Sequence, residues 1–252
     1  MSPIISDWLD DVLAAAAFLT IVPVPHREPP ANLARAYRVF PLLGAAIGAA
    51  VGTVYLVLLW VGLPAIAAAA LALGAGALLT GALHEDGLAD LADGFGGGKD
   101  KIAKLDVMRD SRLGTYGALA LLISFVAKIG ALSSLPRSEV LVAMIATHAL
   151  ARAPLAVLAA AMSYARADGL AASAGRPDSL IALTACVVAV VIAFVALPAT
   201  TAAIAAFVAA GAAVTLATLA RQQIGGQTGD VLGAVEQVCE VAVLLTLAAR
   251  LV

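Results

Sequence analysis

Long apolar segments recur along the whole chain and constrain its fold more than any other feature of the sequence. A helix needs roughly 20 apolar residues to cross a hydrocarbon core of about 30 Å. Seven segments reach or approach that length: 39–60, 64–83, 114–135, 139–162, 180–197, 199–220 and 231–252. Only 13% of the 252 residues are charged, against about 25% in a typical soluble domain. Because one globular core cannot hide so much apolar surface from water, the sequence predicts an all-α, polytopic transmembrane helical bundle.

The first apolar segment differs from the other seven. It covers residues 12–24, which is too short for a span, and it ends in the sequence Pro23-Val24-Pro25. This pattern favours a short interfacial helix that lies at the membrane surface. With that helix and about seven spans, we expect residues 1–252 to form a single integral-membrane domain.

The basic residues are distributed unequally between the predicted loops. Serial spans place loops 22–38, 84–112, 163–179 and 221–230 on one side of the membrane, where they contain eleven of the 15 Lys and Arg residues: Arg27, Arg35, Arg38, Lys99, Lys101, Lys104, Arg109, Arg112, Arg166, Arg176 and Arg221. The opposite side has only Arg137 and Arg250. Because cytoplasmic loops carry the excess of basic residues, we expect the four loops to face the cytoplasm. A net charge of −2 without a long basic run gives no support for nucleic-acid binding.

Three aspartates follow the second predicted span. Asp86, Asp90 and Asp93 are spaced i, i+4 and i+7, so on a helix they share one face. Like charges at this spacing destabilise a bare helix, whereas Mg²⁺ binds well to a few carboxylates together with substrate phosphate. The motif therefore predicts a magnesium site; the alternative is a solvated acidic helix end.

A second motif combines acids with arginines. Asp106 and Asp110 form another i, i+4 pair, and Arg109, Ser111 and Arg112 lie beside them. Arginine is well suited to phosphate oxygens, so we expect Arg109 and Arg112, with Ser111, to bind substrate. The alternative is a salt-bridged cap on the next span.

The third motif begins the last span. The glycines of Gly225-Gly226-Gln227-Thr228-Gly229-Asp230 favour a loop whose backbone N–H groups cradle an anion. Carboxylates within membrane helices are costly and usually functional, and Glu236 and Glu240 follow in this span. We expect Gln227, Thr228, Asp230 and Glu236 to contact substrate, with a structural role as the alternative. The remaining intramembrane polar residues, Lys128, His148 and Arg152, either neutralise these glutamates or bind a substrate anion.

These motifs together resemble the cobalamin synthase family, the adenosylcobinamide-GDP ribazoletransferases. The resemblance rests on stretches spread over the chain: Phe18-Leu19-Thr20 before Pro23-Val24-Pro25, Phe40-Pro41 with Gly44, Thr80 to Gly94, Met108 to Gly117, and Gly225 to Gly233 with Glu236. It implies a bacterial inner-membrane enzyme that joins adenosylcobinamide-GDP to α-ribazole or its 5′-phosphate, releases GMP and requires Mg²⁺.

The resemblance also gives the acidic residues their expected roles. Metal on Asp86, Asp90 and Asp93, with Asp106 and Asp110, would neutralise the diphosphate, because such transfers depend mainly on positioning and charge. Glu85 or Asp110 would accept the proton of the attacking hydroxyl, so the expected catalytic residues are Glu85, Asp86, Asp90 and Asp110. The sequence leaves open a homo-oligomer and the choice between ribazole and its phosphate.

Three other functions share some of these features. The Asp86-Gly87 start and the Asp106–Asp110 pair are similar to the CDP-alcohol phosphotransferases, but Asp90 stands where that family has Ala and its following Arg is absent. An intramembrane prenyltransferase would need an aromatic-lined groove, and only 5% of the residues are aromatic. A divalent-cation transporter would place its polar site near the midplane between repeated halves, whereas these acids gather at helix ends.

Overall fold

The computed structural model describes residues 3–25 and 32–251, and these residues form a helical bundle. Its helices are α1 (Pro3–Leu19), α2 (Leu33–Ala36), α3 (Phe40–Trp60), α4 (Ala65–Leu79), α5 (Leu83–Gly97), α6 (Lys101–Val107), α7 (Thr115–Ser134), α8 (Arg137–Ala161), α9 (Leu170–Ala174), α10 (Ser179–Ala196), α11 (Ala199–Ile224) and α12 (Gly229–Leu251), with a 3-10 turn at Tyr37–Val39. Neither described range contains a β-strand. The all-α prediction is therefore confirmed.

Within residues 3–25 and 32–251, six helices are long and apolar enough to cross a membrane, namely α3, α7, α8, α10, α11 and α12. Counting α4 and α5 as one bent span gives a seventh. The bounds of the six agree with the predicted segments to within about two residues, except that α11 continues to Ile224. The predicted multi-pass bundle is confirmed.

The N-terminal helix has different bounds from those predicted. It covers Pro3–Leu19 instead of 12–24. Asp11 lies within this helix, where it is buried and pairs with Arg35 at 2.7 Å and Arg38 at 2.5 Å, so the acidic residues before position 12 do not end it. It ends at Leu19 because the next residues turn away, with the backbone N–H of Ile21 donating to the carbonyl of Leu79. Its interfacial position stays a prediction.

The predicted span 64–83 is interrupted. α4 ends at Leu79, and α5 leaves it at an angle of 93°. Gly81 and Ala82 both have left-handed backbone conformations, with φ of 62° and 54°. For Ala82 this conformation costs roughly 1–2 kcal/mol, so packing elsewhere must hold the bend. The bend places the first acidic motif on a helix that crosses α12.

Small residues bring the spanning helices close together. A Cβ at Gly44 would overlap the carbonyl oxygen of His148, and one at Gly48 would overlap that of Met144, so α3 and α8 are in backbone contact. Alanines form the buried faces of α10 and α11. Small-residue packing is typical of membrane helices. Their outward faces carry large exposed apolar residues such as Val195 and Phe207, as expected for contact with lipid.

The predicted loops on one side meet in the structure. The backbone of Gln227 exchanges hydrogen bonds with Ser163 and Ala165 at 2.8 and 2.9 Å. Lys104, in segment 84–112, donates a hydrogen bond to Gln223, in segment 221–230. A Cβ at Gly175 would lie 3.3 Å from the Cβ of Ala34, so the described parts of all four loops lie together; Arg27 lies outside the described residues. Which face of the membrane this is stays a prediction.

Candidate active site

The crossing of α5 and α12 builds the centre of the candidate site. A Cβ at Gly87 would lie 3.0 Å from the carbonyl oxygen of Asp230 and 3.1 Å from the Cα of Gly233. Only glycine permits this approach without displacement of the backbone. It brings Asp86 and Asp230 to the wall of one cavity. The cavity has a volume of about 560 Å³, including its open mouth.

Asp86, Asp90 and Asp230 form what we call the aspartate cluster. The charge of Asp90 is repelled by Asp86, Asp230 and Asp93 and attracted by Arg166. Asp230 accepts hydrogen bonds from Arg166 at 3.2 Å and from the hydroxyl of Thr228 at 3.1 Å. By contrast, the side chains of Asp86 and Asp90 accept no hydrogen bond from any residue that the structure describes. Two carboxylates with free oxygens therefore lie beside a third that is held in place.

Asp93 faces a different element although it shares the helix with Asp86 and Asp90. Its two oxygens accept hydrogen bonds from the backbone N–H groups of Gly114 and Gly117 at 2.7 and 2.9 Å. A Cβ at either glycine would overlap the carboxylate, so a larger residue at either position would displace Asp93. Asp93 thus caps the N-terminus of α7, where negative charge is favourable. Its metal-binding role stays a prediction.

The second motif lies on the exposed surface, and its arginines are already paired. Arg109 donates to both oxygens of Asp168 at 2.6 and 2.7 Å, and Arg112 donates to Asp110 at 2.5 and 3.0 Å. Hydrogen bonds from Arg112 lower the pKa of the Asp110 carboxyl to about 2. Ser111 and Asp106 are exposed beside these pairs. A substrate phosphate must exchange with Asp168 or Asp110 to reach either guanidinium.

The third motif is buried and orders the start of α12. The N–H of Gln227 donates to the carbonyl of Ser163, so this group is not free to cradle an anion. The hydroxyl of Thr228 accepts from the N–H of Val231 at 3.2 Å while it donates to Asp230. Thr228 therefore caps α12 and orients a carboxylate of the aspartate cluster. Direct substrate contact by Gln227 and Thr228 stays a prediction.

A second polar group, which we call the interior network, lies buried between α5, α7, α8 and α12. Lys128 donates to Glu240 at 3.2 Å and to Gln237 at 2.8 Å. Arg152 pairs with Glu236 at 2.7 Å. This confirms the pairing role for Lys128 and Arg152. Substrate contact by Glu236, which is fully buried, stays a prediction.

The interior network also contains the closest set of potential metal ligands. Among residues 3–25 and 32–251, the one trio of His, Cys, Asp or Glu side chains close enough to share an ion is His148, Glu236 and Glu240. Two buried cations, Lys128 and Arg152, already neutralise its glutamates, so we assign no metal to it. The five predicted metal ligands form no such trio in the described ranges.

Two residues of the site escaped prediction. His84 lines the aspartate cavity and also an inner cavity of about 300 Å³ that adjoins the interior network. Its position in the sequence, two residues before Asp86, could have indicated that it belongs to the site. Arg166, which holds Asp230, lies in a loop that no motif marked. Glu85, a predicted catalytic residue, lines the inner cavity and accepts a hydrogen bond from Gln237 at 3.2 Å.

The spanning helices form a bundle with ion pairs buried in its interior. The aspartate cluster lies at the end where segments 84–112, 163–179 and 221–230 meet, which we call the loop-bearing end. This arrangement defines a multi-pass membrane protein with a polar site at one end. Comparison with known families makes the assignment specific. Residues 11–248 match the model of the cobalamin-5-phosphate synthase family, and the chain belongs to that family.

Relatives in several bacteria extend this assignment over nearly the whole chain. An adenosylcobinamide-GDP ribazoletransferase of Bradyrhizobium diazoefficiens is 43% identical over 97% of this chain and 95% of its own length. Proteins of the same name from Azorhizobium caulinodans and Sinorhizobium medicae are 42% and 41% identical, over 94% and 97% of this chain and 94% and 98% of their own lengths. No solved structure matches the chain.

Proposed function

We propose that this chain is an adenosylcobinamide-GDP ribazoletransferase whose reaction takes place at the aspartate cluster. The relatives of that name cover almost its entire length. One structural observation supports this location of the reaction. Asp86 and Asp230 lie on two helices in backbone contact and line one cavity, with Asp90 beside them. Family membership favours this activity over the CDP-alcohol transfer and cation transport that the motifs also suggested.

The donor set fits Mg²⁺. Asp86 and Asp90 offer carboxylate oxygens that no described residue occupies, and Mg²⁺ prefers oxygen ligands with substrate phosphate completing its shell. These two residues would hold the ion, with Asp230 next to them. When bound there, the ion would neutralise charge on the diphosphate and the leaving GMP.

The side chains around the cluster can support the remaining chemistry. A ribose hydroxyl attacks the phosphorus attached to the corrinoid; an O–P bond forms, the P–O bond to GMP breaks, and GMP leaves with the electron pair. Arg166 lies beside Asp230 and can donate to phosphate oxygens. The hydroxyl proton passes to a carboxylate. A pKa of about 2 makes Asp110 a weak base, which favours Glu85 or an aspartate of the cluster.

We further propose that the chain lies in the bacterial inner membrane with the cluster facing the cytoplasm. The excess of Lys and Arg on the loop-bearing side supports this orientation. A site on that side would meet its charged nucleotide substrate directly in water.

A direct assay tests the activity. The purified protein, in detergent with MgCl₂, is given adenosylcobinamide-GDP and α-ribazole, and GMP and the corrinoid product are quantified. We expect equimolar GMP and product, loss of both with EDTA and recovery with excess Mg²⁺. GMP release that does not depend on α-ribazole would show hydrolysis instead of transfer and would overturn the proposal. Parallel reactions with α-ribazole 5′-phosphate establish which acceptor is preferred.

A further inference from the structure

The cavity beside the aspartate cluster is aromatic at the end contributed by the N-terminal part of the chain. Phe18, Tyr37 and Phe40 line it. The rings of Phe18 and Phe40 are stacked with centroids 5.9 Å apart, and the centroids of Tyr37 and Phe40 are 4.5 Å apart. The aspartates line the same cavity, so it combines an aromatic surface with a carboxylate surface.

Tyr37 carries the one feature of the aromatic wall that core packing does not explain. Its side chain is only 2% exposed, yet its hydroxyl makes no hydrogen bond with any residue that the structure describes. Tyr hydroxyls in such surroundings usually have a partner. A ligand that accepts a hydrogen bond within this cavity would supply that partner.

We infer that this cavity binds the bicyclic aromatic base of the ribazole acceptor, an inference that rests on the proposed function. The base packs against the half-buried ring of Phe18, its unsubstituted ring nitrogen accepts from Tyr37, and its ribose lies beside Asp86 and Asp230. This arrangement gives the acceptor, and not the corrinoid nucleotide, its own subsite.

The chemistry of the wall separates the base from the other parts of the substrates. The base of ribazole is apolar except for its ring nitrogens, so an apolar aromatic wall with one hydroxyl satisfies it. Guanine has several edge donors and acceptors, and burial against phenylalanines would leave them unpaired. The corrin macrocycle is too large for a cavity of about 560 Å³ that also includes the open mouth.

Steady-state kinetics with Phe18→Leu and Tyr37→Phe test the inference. Phe18→Leu keeps an apolar side chain but removes the ring, and Tyr37→Phe removes only the hydroxyl. Since an aromatic contact or one hydrogen bond changes an affinity by about three- to tenfold, we expect the KM for α-ribazole to rise by that factor in each variant. The KM for adenosylcobinamide-GDP should stay within about twofold. Phe207→Leu is the matched control, because Phe207 lies on the outward face of α11 and is 79% exposed.

Acceptor analogues give a second readout that a partly misfolded protein would not change. The wild type should prefer the base of α-ribazole over adenine, and Phe18→Leu should reduce this preference. Because Phe18 is half-buried, Phe18→Leu disturbs the core less than a change at Phe40, which is 1% exposed. An unchanged KM for α-ribazole, or a rise only for adenosylcobinamide-GDP, overturns the subsite while leaving the transferase activity in place. A wild type without transfer to any acceptor overturns the proposed function itself.

Discussion

At the scale of single residues, carboxylates that look equivalent in the sequence do different work. Asp86 and Asp90 keep oxygens free of partners among the described residues, whereas Asp93 caps α7 and Asp110 is paired with Arg112. The i, i+4, i+7 spacing gives them a common helix face, but neighbouring elements decide which of them can bind a ligand. This is why the proposal depends on Asp86 and Asp90.

Replacing Asp86 or Asp90 by Asn should therefore stop turnover. Asp86→Asn or Asp90→Asn removes one charge without changing size, and loss of such a stabilising group costs about a hundredfold or more in kcat. GMP release by the purified variants measures this. Asp178→Asn is the matched control, because Asp178 caps α10 and Asn is an equally good cap; it should remain active. Normal turnover in both site variants would exclude the aspartate cluster as the metal site.

At the scale of helices, the contact between α5 and α12 sets the distance between Asp86 and Asp230. Helix α5 can cross α12 because Gly87 meets Gly233 and the backbone of Asp230. The bend at Gly81 and Ala82 directs α5 towards this contact. The cluster is thus a product of two backbone features and not of its aspartates alone.

A methyl group at the crossing should reduce activity more than it reduces folding. Gly87→Ala must displace backbone by a few tenths of an ångström, which costs about 1–3 kcal/mol. Because small misplacements of reacting groups are costly, we expect kcat to fall by at least about tenfold while the protein still inserts. Gly74→Ala on α4 is the control, since its Cβ would meet no atom within 4 Å. Equal activity of the two variants would contradict a tight crossing.

The interior network should stabilise the bundle as a unit. Removing one partner of a buried ion pair leaves the other charge unpaired and costs about 3–5 kcal/mol. Lys128→Met and Glu240→Gln should each strongly lower the midpoint of unfolding in detergent. In the double variant the midpoint should fall by clearly less than the sum of the two single decreases. Lys99→Met in an exposed loop should have no effect. Additive losses would show that the two side chains do not interact.

The helices were more predictable from the sequence than the site. Apolar length fixes a span, so α7, α8 and α10 lie within about two residues of their predicted bounds. The break after Leu79 was not predicted, because only Thr80 and Gly81 interrupt an otherwise apolar segment at 64–83 and Ala82 gives no local sign of its left-handed conformation. Arg166 escaped prediction because it has no local pattern and acquires its role from Asp230, 64 residues further along the chain.

At the scale of the whole molecule, the bundle is polar at one end and apolar around its sides. Four segments meet at the loop-bearing end, including the contacts of Gln227 with Ser163 and Ala165, and the aspartate cavity lies there. Short turns such as Leu197-Pro198 join the helices at the other end. The charged substrate must therefore arrive from the loop-bearing side, which makes the orientation of the molecule part of its function.

Labelling of single cysteines measures that orientation. In a background without the native thiols, Cys186→Ser and Cys239→Ala, a Lys99→Cys probe marks the loop-bearing end and a Val61→Cys probe marks the other end; both positions are exposed. The basic excess at the loop-bearing end predicts that it faces the cytoplasm. A membrane-impermeant maleimide added to spheroplasts should therefore label the Val61→Cys probe at once, and the Lys99→Cys probe only after permeabilisation. The reverse pattern would place the aspartate cluster outside the cell membrane, away from the nucleotide, and the charge argument would then be wrong even if the transferase assay succeeded in detergent.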